Sequence, residues 1–205
     1  MQGQRSMSLS LSLALLSTIL TCLAMVEMGL AARAYPNFIK ACCASTLYPT
    51  LCFNSLSPYA STIKTSHREM AHIALLLSLD KANATSAMIS KTMVGLNKDE
   101  SSRRAASAMK DCMENIEDSI DELRESLDED EHLPVSNEGA DFREKMGNIQ
   151  TWVSAALTDE DTCMDGFKGV SIDGNLRDEM RRSVLAIAHL TSNALALINS
   201  LNQAP

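Results

Sequence analysis

The sequence predicts an all-α fold: an up-down-up-down four-helix bundle with an N-terminal helical hairpin extension, stapled by disulfides. Three observations carry this. Apolar residues recur three and four apart along four long stretches, which is the period of a helix. No long segment alternates apolar and polar residues with the period of two that a half-buried strand needs. The prolines are few and grouped, with Pro36, Pro49 and Pro58 ahead of the stretches and Pro134 between the second and third, so no stretch carries a breaker inside it.

Gln4 and Arg5 precede a largely apolar run from Met7 to about Leu30 that closes on the small residues Ala32 and Ala34. That is the layout of a secretory signal peptide with an A-x-A-like cleavage site. A membrane anchor would end on a cluster of Lys or Arg instead. Residues 1–34 are therefore expected to be removed, leaving one soluble, secreted domain over 35–205 with no second long apolar segment and no membrane contact after cleavage.

Residues 35–59 hold three of the prolines and can form only short helical pieces, so a hairpin is expected there. Cys43 and Cys52 are nine positions apart. A disulfide closing so small a loop removes roughly 3 kcal/mol of unfolded-chain entropy. Cys42 is adjacent to Cys43, and spacing alone leaves either as the partner of Cys52.

The bundle is expected over 60–205. Its first helix spans about Ser61 to Leu96, with Ile63, Met70, Ala74, Leu77, Ala84 and Met88 inward and polar breakers at Asn97 to Ser101. The second, about Ser102 to Glu131, turns Ala105, Met109, Cys112, Ile116, Ile120, Leu123 and Leu127 inward. A loop around Pro134 and Gly139 follows. The third carries Phe142, Met146, Ile149, Val153, Ala156, Cys163 and Phe167, with Glu160 as the one polar intrusion, and ends among Gly166, Gly169 and Gly174. The fourth, about Asn175 to Leu201, carries Met180, Val184, Ile187, Leu190, Ala194, Leu197 and Leu201. Short loops between long helices make chain neighbours antiparallel. Cys112 and Cys163 then lie on the inward stripes of adjacent helices, which makes a cross-helix staple their natural pairing.

Removing Arg5, Arg33 and Glu27 with the signal peptide leaves 16 basic and 25 acidic residues, a formal charge of −9. Such a surface argues against nucleic acid and anionic membrane as partners and suits a basic protein. Of six cysteines, Cys22 leaves with the signal peptide, and an oxidising destination makes disulfides the expected state for most of the rest.

No catalytic constellation is present. His67, His72, His132 and His189 are scattered, and neither a metal-ligand spacing nor a G-x-S-x-G nor a phosphate-cradling loop occurs. No cofactor and no metal is expected, and no carboxylate occupies an obvious apolar pocket that would raise its pKa for acid-base work. Asn83-Ala84-Thr85 is an N-x-S/T sequon, which makes Asn83 a glycosylation candidate in an exported chain.

Two polar groups stand out as candidate binding surface. Asp111, Glu114, Asp118, Asp121 and Glu125 form an acidic stripe on the outward side of the second helix, four turns long with no Lys or Arg on the same line. Like charges at i,i+4 cost a few tenths of a kcal/mol each, and a face that keeps them suits a basic partner. Thr158, Asp161, Thr162 and Asp165 stand opposite the core stripe of the third helix, beside the first group if the two helices are adjacent.

Three phrases resemble the plant invertase and pectin methylesterase inhibitor family: CASTLYPTLC over Cys43–Cys52, MKDCMENIEDSIDEL over Met109–Leu123, and QTWVSAALTDEDTCMDGF over Gln150–Phe167. The resemblance spans the chain beyond the signal peptide. It implies a four-helix bundle with a helical hairpin, disulfides Cys43–Cys52 and Cys112–Cys163, and an extra Cys42. It further implies a secreted inhibitor of the apoplast and cell wall that binds one pectin methylesterase molecule over its pectin-binding cleft, mainly through the second and third helices. Asp118, Asp121, Thr162 and Asp165 would be among the contacts. Acid invertase is the alternative target, although the Pro-Lys-Phe tripeptide associated with some invertase inhibitors is absent. The third phrase also resembles the pro-regions ahead of catalytic pectin methylesterase domains. With the chain stopping after its fourth helix, a free-standing inhibitor is expected.

Overall fold

The computed structural model describes residues 33–94, 100–136, 139–170 and 173–201. All but the last two residues of the expected signal peptide, and residues 97–99 of the expected break after the first helix, lie outside the described residues. Among the described residues there is no strand.

Helix α1 covers residues 33–43 and α2 covers Pro49–Leu56. Pro49 sits at the start of α2, where its missing N–H is one the helix would leave unpaired anyway. Cys43 and Cys52 are bonded across this hairpin with their Cα atoms 5.6 Å apart, and Cys42 is free and half-buried, its thiol pKa raised by that burial. A 3₁₀ turn at Ser57–Tyr59 and the short α3, Ala60–Ile63, lead into the bundle.

The bundle is built from α4 (His67–Val94), α5 (Glu100–Glu131), α6 (Ala140–Asp165) and α7 (Gly174–Leu201). Each packs on two others, in the cyclic order α4, α5, α6, α7, and α5 against α6 is the most extensive interface. Cys112 and Cys163 join those two helices, 51 residues apart in sequence. On the chain-entropy model that bond is worth roughly 4 kcal/mol. The α7 helix is long and apolar enough to cross a membrane by composition, contrary to the expectation that no second such segment follows residue 34. Its apolar stripe, from Met180 through Val184, Ile187 and Ala194 to Leu201, is buried in the bundle core.

The first expected helix, Ser61–Leu96, is not continuous. The chain turns at Lys64, which takes φ 52°, and restarts at His67. Ser66 makes the restart possible, because its Oγ accepts the Glu69 N–H at 3.1 Å and so satisfies one of the donors that a helix leaves open at its first turn. Ser66 and Glu69 also have the S-x-x-E spacing that marks a helix start in sequence.

The inward stripe of α4 differs from expectation too. Met70 and Ala74 are buried, but Ala84 is exposed and Leu77 and Met88 only half-buried; the central line runs through Ala71, Leu75, Ser78, Ala82, Thr85 and Ile89. Two hydroxyl residues lie on that line. Ser78 Oγ donates to Ala74 O at 3.0 Å and Thr85 Oγ1 to Lys81 O at 2.9 Å, so neither buries an unpaired donor. On α7, Thr191 is fully buried where Leu190 was expected, and Leu190 is half-buried.

The hairpin packs on α4 and α7. Its anchor is Tyr48: the backbone N–H donates to Asn193 Oδ1 and the backbone carbonyl accepts from Asn193 Nδ2, both at 3.1 Å. The Tyr48 ring stacks on His189, one turn earlier on α7, with centroids 3.8 Å apart. At the same end of the bundle, Arg68 closes the C-terminus of α5 by donating to the carbonyls of Asp130 (2.7 Å), Leu133 (3.0 Å) and Pro134 (3.1 Å). A cation at that end also meets the negative pole of the helix dipole.

Candidate protein-binding face

The α5–α6 seam positions the polar residues singled out in the sequence. Its register is set by the Cys112–Cys163 bond and, farther along, by Ser119 Oγ donating to Glu160 Oε1 at 2.9 Å. All five acids of the α5 stripe are exposed, as are Thr158, Asp161, Thr162 and Asp165 on α6.

The stripe is not an unbroken row of free carboxylates. Glu114 pairs with Lys110 and Asp121 with Arg124, at 2.7 and 2.8 Å. These exposed pairs contribute little to stability, but they lower the repulsion inferred from the acids alone. On α6, Asp165 pairs with Lys168 at 2.7 Å and Thr162 Oγ1 donates back to Thr158 O at 2.8 Å.

The four expected contact residues separate into three places. Asp118 lies on the α6 side of α5, close enough for its charge to raise the pKa values of Glu122 and Asp159. Asp121 lies on the opposite side, in a groove it shares with Asn83 and Ser86 of α4. In the antiparallel register Thr162 falls level with the span between Cys112 and Ser119, and Asp165 lies farther toward the start of α5.

Three titrating groups in this seam escaped the sequence reading, which expected no carboxylate in an apolar setting. Glu160 is wholly buried, and burial pushes its pKa up to about 8 against the opposing hydrogen bonds of Thr191 and Ser119. Thr191 Oγ1 donates to the same Oε1 at 2.9 Å, and Oε2 is buried with no hydrogen-bond partner. Glu122 is raised to about 7, first by burial and then by the charge and hydrogen bond of Asp159. Asp159 is also raised, chiefly by burial. The signal for Glu160 was its place on an apolar stripe; the signal for the pair was the antiparallel register that follows once Cys112 is set against Cys163.

A buried acid with no opening to solvent cannot reach a substrate. Among the described residues no group of His, Cys, Asp and Glu side chains is arranged to hold a metal ion. His72 instead contacts Asp130 at 2.7 Å, His67 lies edge-on to Phe38, and His132 contacts the Asp128 carbonyl. What this face offers is an exposed polar and acidic surface on a disulfide-fixed pair of helices.

A family model described as plant invertase/pectin methylesterase inhibitor matches residues 37–197. The chain is 43% identical over 197 residues to the 21 kDa protein of Daucus carota, covering 95% of this chain and 96% of that protein. It is 41% identical over 166 residues to Pectinesterase inhibitor 11 of Arabidopsis thaliana, covering 80% of each. The crystal structure of a mutant form of a pectin methylesterase inhibitor from Arabidopsis matches with a TM-score of 0.57 at 23% identity, over 77% of this chain and 92% of that one, and shows the shared fold.

Proposed function

Because this chain belongs to the plant invertase/pectin methylesterase inhibitor family, we propose that it is a secreted inhibitor that binds one pectin methylesterase molecule and covers its pectin-binding cleft. Residues 1–34 act as the signal peptide, and 35–205 form the inhibitor domain that works in the apoplast and cell wall. The observation that carries the reading is the exposed acidic and polar face along α5 and α6, held rigid by Cys112–Cys163.

Inhibition requires no bond chemistry. An acidic face draws a basic enzyme surface by long-range attraction, and a rigid helix pair meets it with little loss of conformational freedom. Closure of the cleft then follows from bulk, since a stable interface covers about 800 Å2 on each partner. Asp118 is central to this face, with Thr162 and Asp165 along α6 and Asp121 at its α4 edge.

The test is to titrate the purified mature protein into separate assays of a plant pectin methylesterase and a plant acid invertase, with gel filtration of each mixture. Loss of methylesterase activity that ends at one equivalent, with a co-eluting complex, is expected. Inhibition of invertase alone would replace the target, and silence in both assays would remove the reading.

A further inference from the structure

We propose that Asn83 carries an N-linked glycan lying in the groove between α4 and α5, so that the α6 side of α5 is the face left open to a target. The proposal rests on the secretion in the reading above, since the glycan is added only to exported chains.

The sequon is divided by the helix. Asn83 and Ala84 are exposed, and Asn83 Nδ2 donates to Leu79 O at 2.9 Å; Thr85 is 1% exposed, with its hydroxyl held by the Lys81 carbonyl. The acceptor side chain is thus displayed, while the hydroxyl that completes the recognition triplet is sealed in the core. Transfer therefore precedes the packing of α4, on the chain as it enters the secretory pathway. The co-reactant is a lipid-linked oligosaccharide pyrophosphate. The Asn83 amide nitrogen forms a bond to the anomeric carbon as the bond from that carbon to the pyrophosphate oxygen breaks. The amide gives up one proton, and the lipid pyrophosphate leaves with the bonding electron pair. The N–H that remains on Asn83 can still donate to Leu79 O.

Where the sugar goes is set by what adjoins Asn83. A groove of about 350 Å3 opens beside it, lined by Asn83, Ser86, Glu117, Ile120, Asp121 and Arg124. Hydroxyl and charged groups surround an apolar side chain there. A pyranose has the matching character, hydroxyls at its rim and C–H bonds on its face. A glycan in this position covers Arg124 and Asp121, the α4 edge of the target face, and leaves the rest of that face, Asp118, Thr162 and Asp165, clear, because Asp118 lies on the other side of α5.

The experiment is to express the full chain in plant cells and measure the intact mass of the protein in the medium, before and after peptide N-glycosidase, beside Asn83→Gln. A glycan mass on the wild type that the glycosidase and the substitution both remove is expected, with glycosylated and enzymatically trimmed protein inhibiting methylesterase within about twofold of each other. Should Asn83→Gln fail to accumulate, the glycosidase lane on wild type decides alone. An unmodified wild-type mass in the medium overturns the glycan and leaves the secreted-inhibitor reading standing. Unmodified protein retained in the cell with residues 1–34 attached overturns both. A modified protein whose inhibition rises tenfold or more on trimming overturns the placement of the glycan away from the target face.

Discussion

Helices α4 and α5 occupy equivalent places in the bundle, yet one is poorly described by its hydrophobic pattern and the other very well. The α5 helix packs on α4 and α6 and leaves a broad side to solvent, so its apolar residues fall on one sharp stripe through Met109, Cys112, Ile116 and Leu123. The α4 helix packs on α5 and α7 and also receives the hairpin and α3 along its first turns, where Met70, Ala71, Ile73, Ala74 and Leu75 are all buried. A helix covered from three directions has no single face to announce. The hairpin and α3 together thus blur the periodicity of α4, while α5, which neither covers, keeps both a legible core and a surface available for binding.

The largest effect that sharpens this contrast is expected at the α5–α6 staple. Replacing Cys112 and Cys163 together by Ser should lower the unfolding free energy by roughly 4 kcal/mol in a denaturant titration; an unchanged midpoint would mean the helix pair holds its register without the bond. Next comes the choice of stripe on α4. Leu75→Ala should cost about 2–5 kcal/mol, as full burial implies, and Leu77→Ala about 1 kcal/mol; the reverse order would restore the stripe read from the sequence.

A smaller effect is expected from pH. Glu160 has a folded-state pKa of about 8 against an ordinary carboxyl value of 4.5, so the folded chain binds the extra proton between those limits. This contribution is fully present below about pH 4.5 and is lost as pH rises through about 8. Melting temperature should therefore fall between pH 5 and pH 8, and Glu160→Gln should flatten that fall, leaving the weaker contribution of Glu122. Equal slopes in the two proteins would assign the pH dependence elsewhere. The smallest contrast concerns binding. Asp118→Lys should weaken methylesterase inhibition by about tenfold, or 1.4 kcal/mol, with Asp121→Lys well below that; equal losses would extend the contact surface onto the α4 side.

Much of the fold was written in the pattern of α5, α6 and α7, because apolar side chains on a helix with one open side must repeat with its turn. The α4 stripe is hidden at Ser78 and Thr85, since a hydroxyl that bonds to its own preceding turn is as easily buried as a small apolar group and a hydrophobic count cannot register it. The break at Lys64 is legible in the Ser66–Glu69 spacing, which marks a helix start inside the longer apolar pattern. The polar face is a different case. That its residues are exposed follows from periodicity, but the assignment of Asp118 to α6 and Asp121 to α4 depends on which helices flank α5. The Glu160 network joins Ser119, Glu160 and Thr191 from three helices, and no local window of sequence contains it.

The grip of Asn193 on the Tyr48 backbone spans 145 positions of chain, and that distance has a meaning for biosynthesis. A ribosome delivers the hairpin first and its seat last. The Cys43–Cys52 loop can close early from purely local encounters, but the folded hairpin has no permanent place until α7 has emerged and found α4 and α6. For most of translation the hairpin can rest only on α4, part of its apolar underside, Ile39 and Leu56 among it, still unmated, and the last helix to arrive is the one that latches the first.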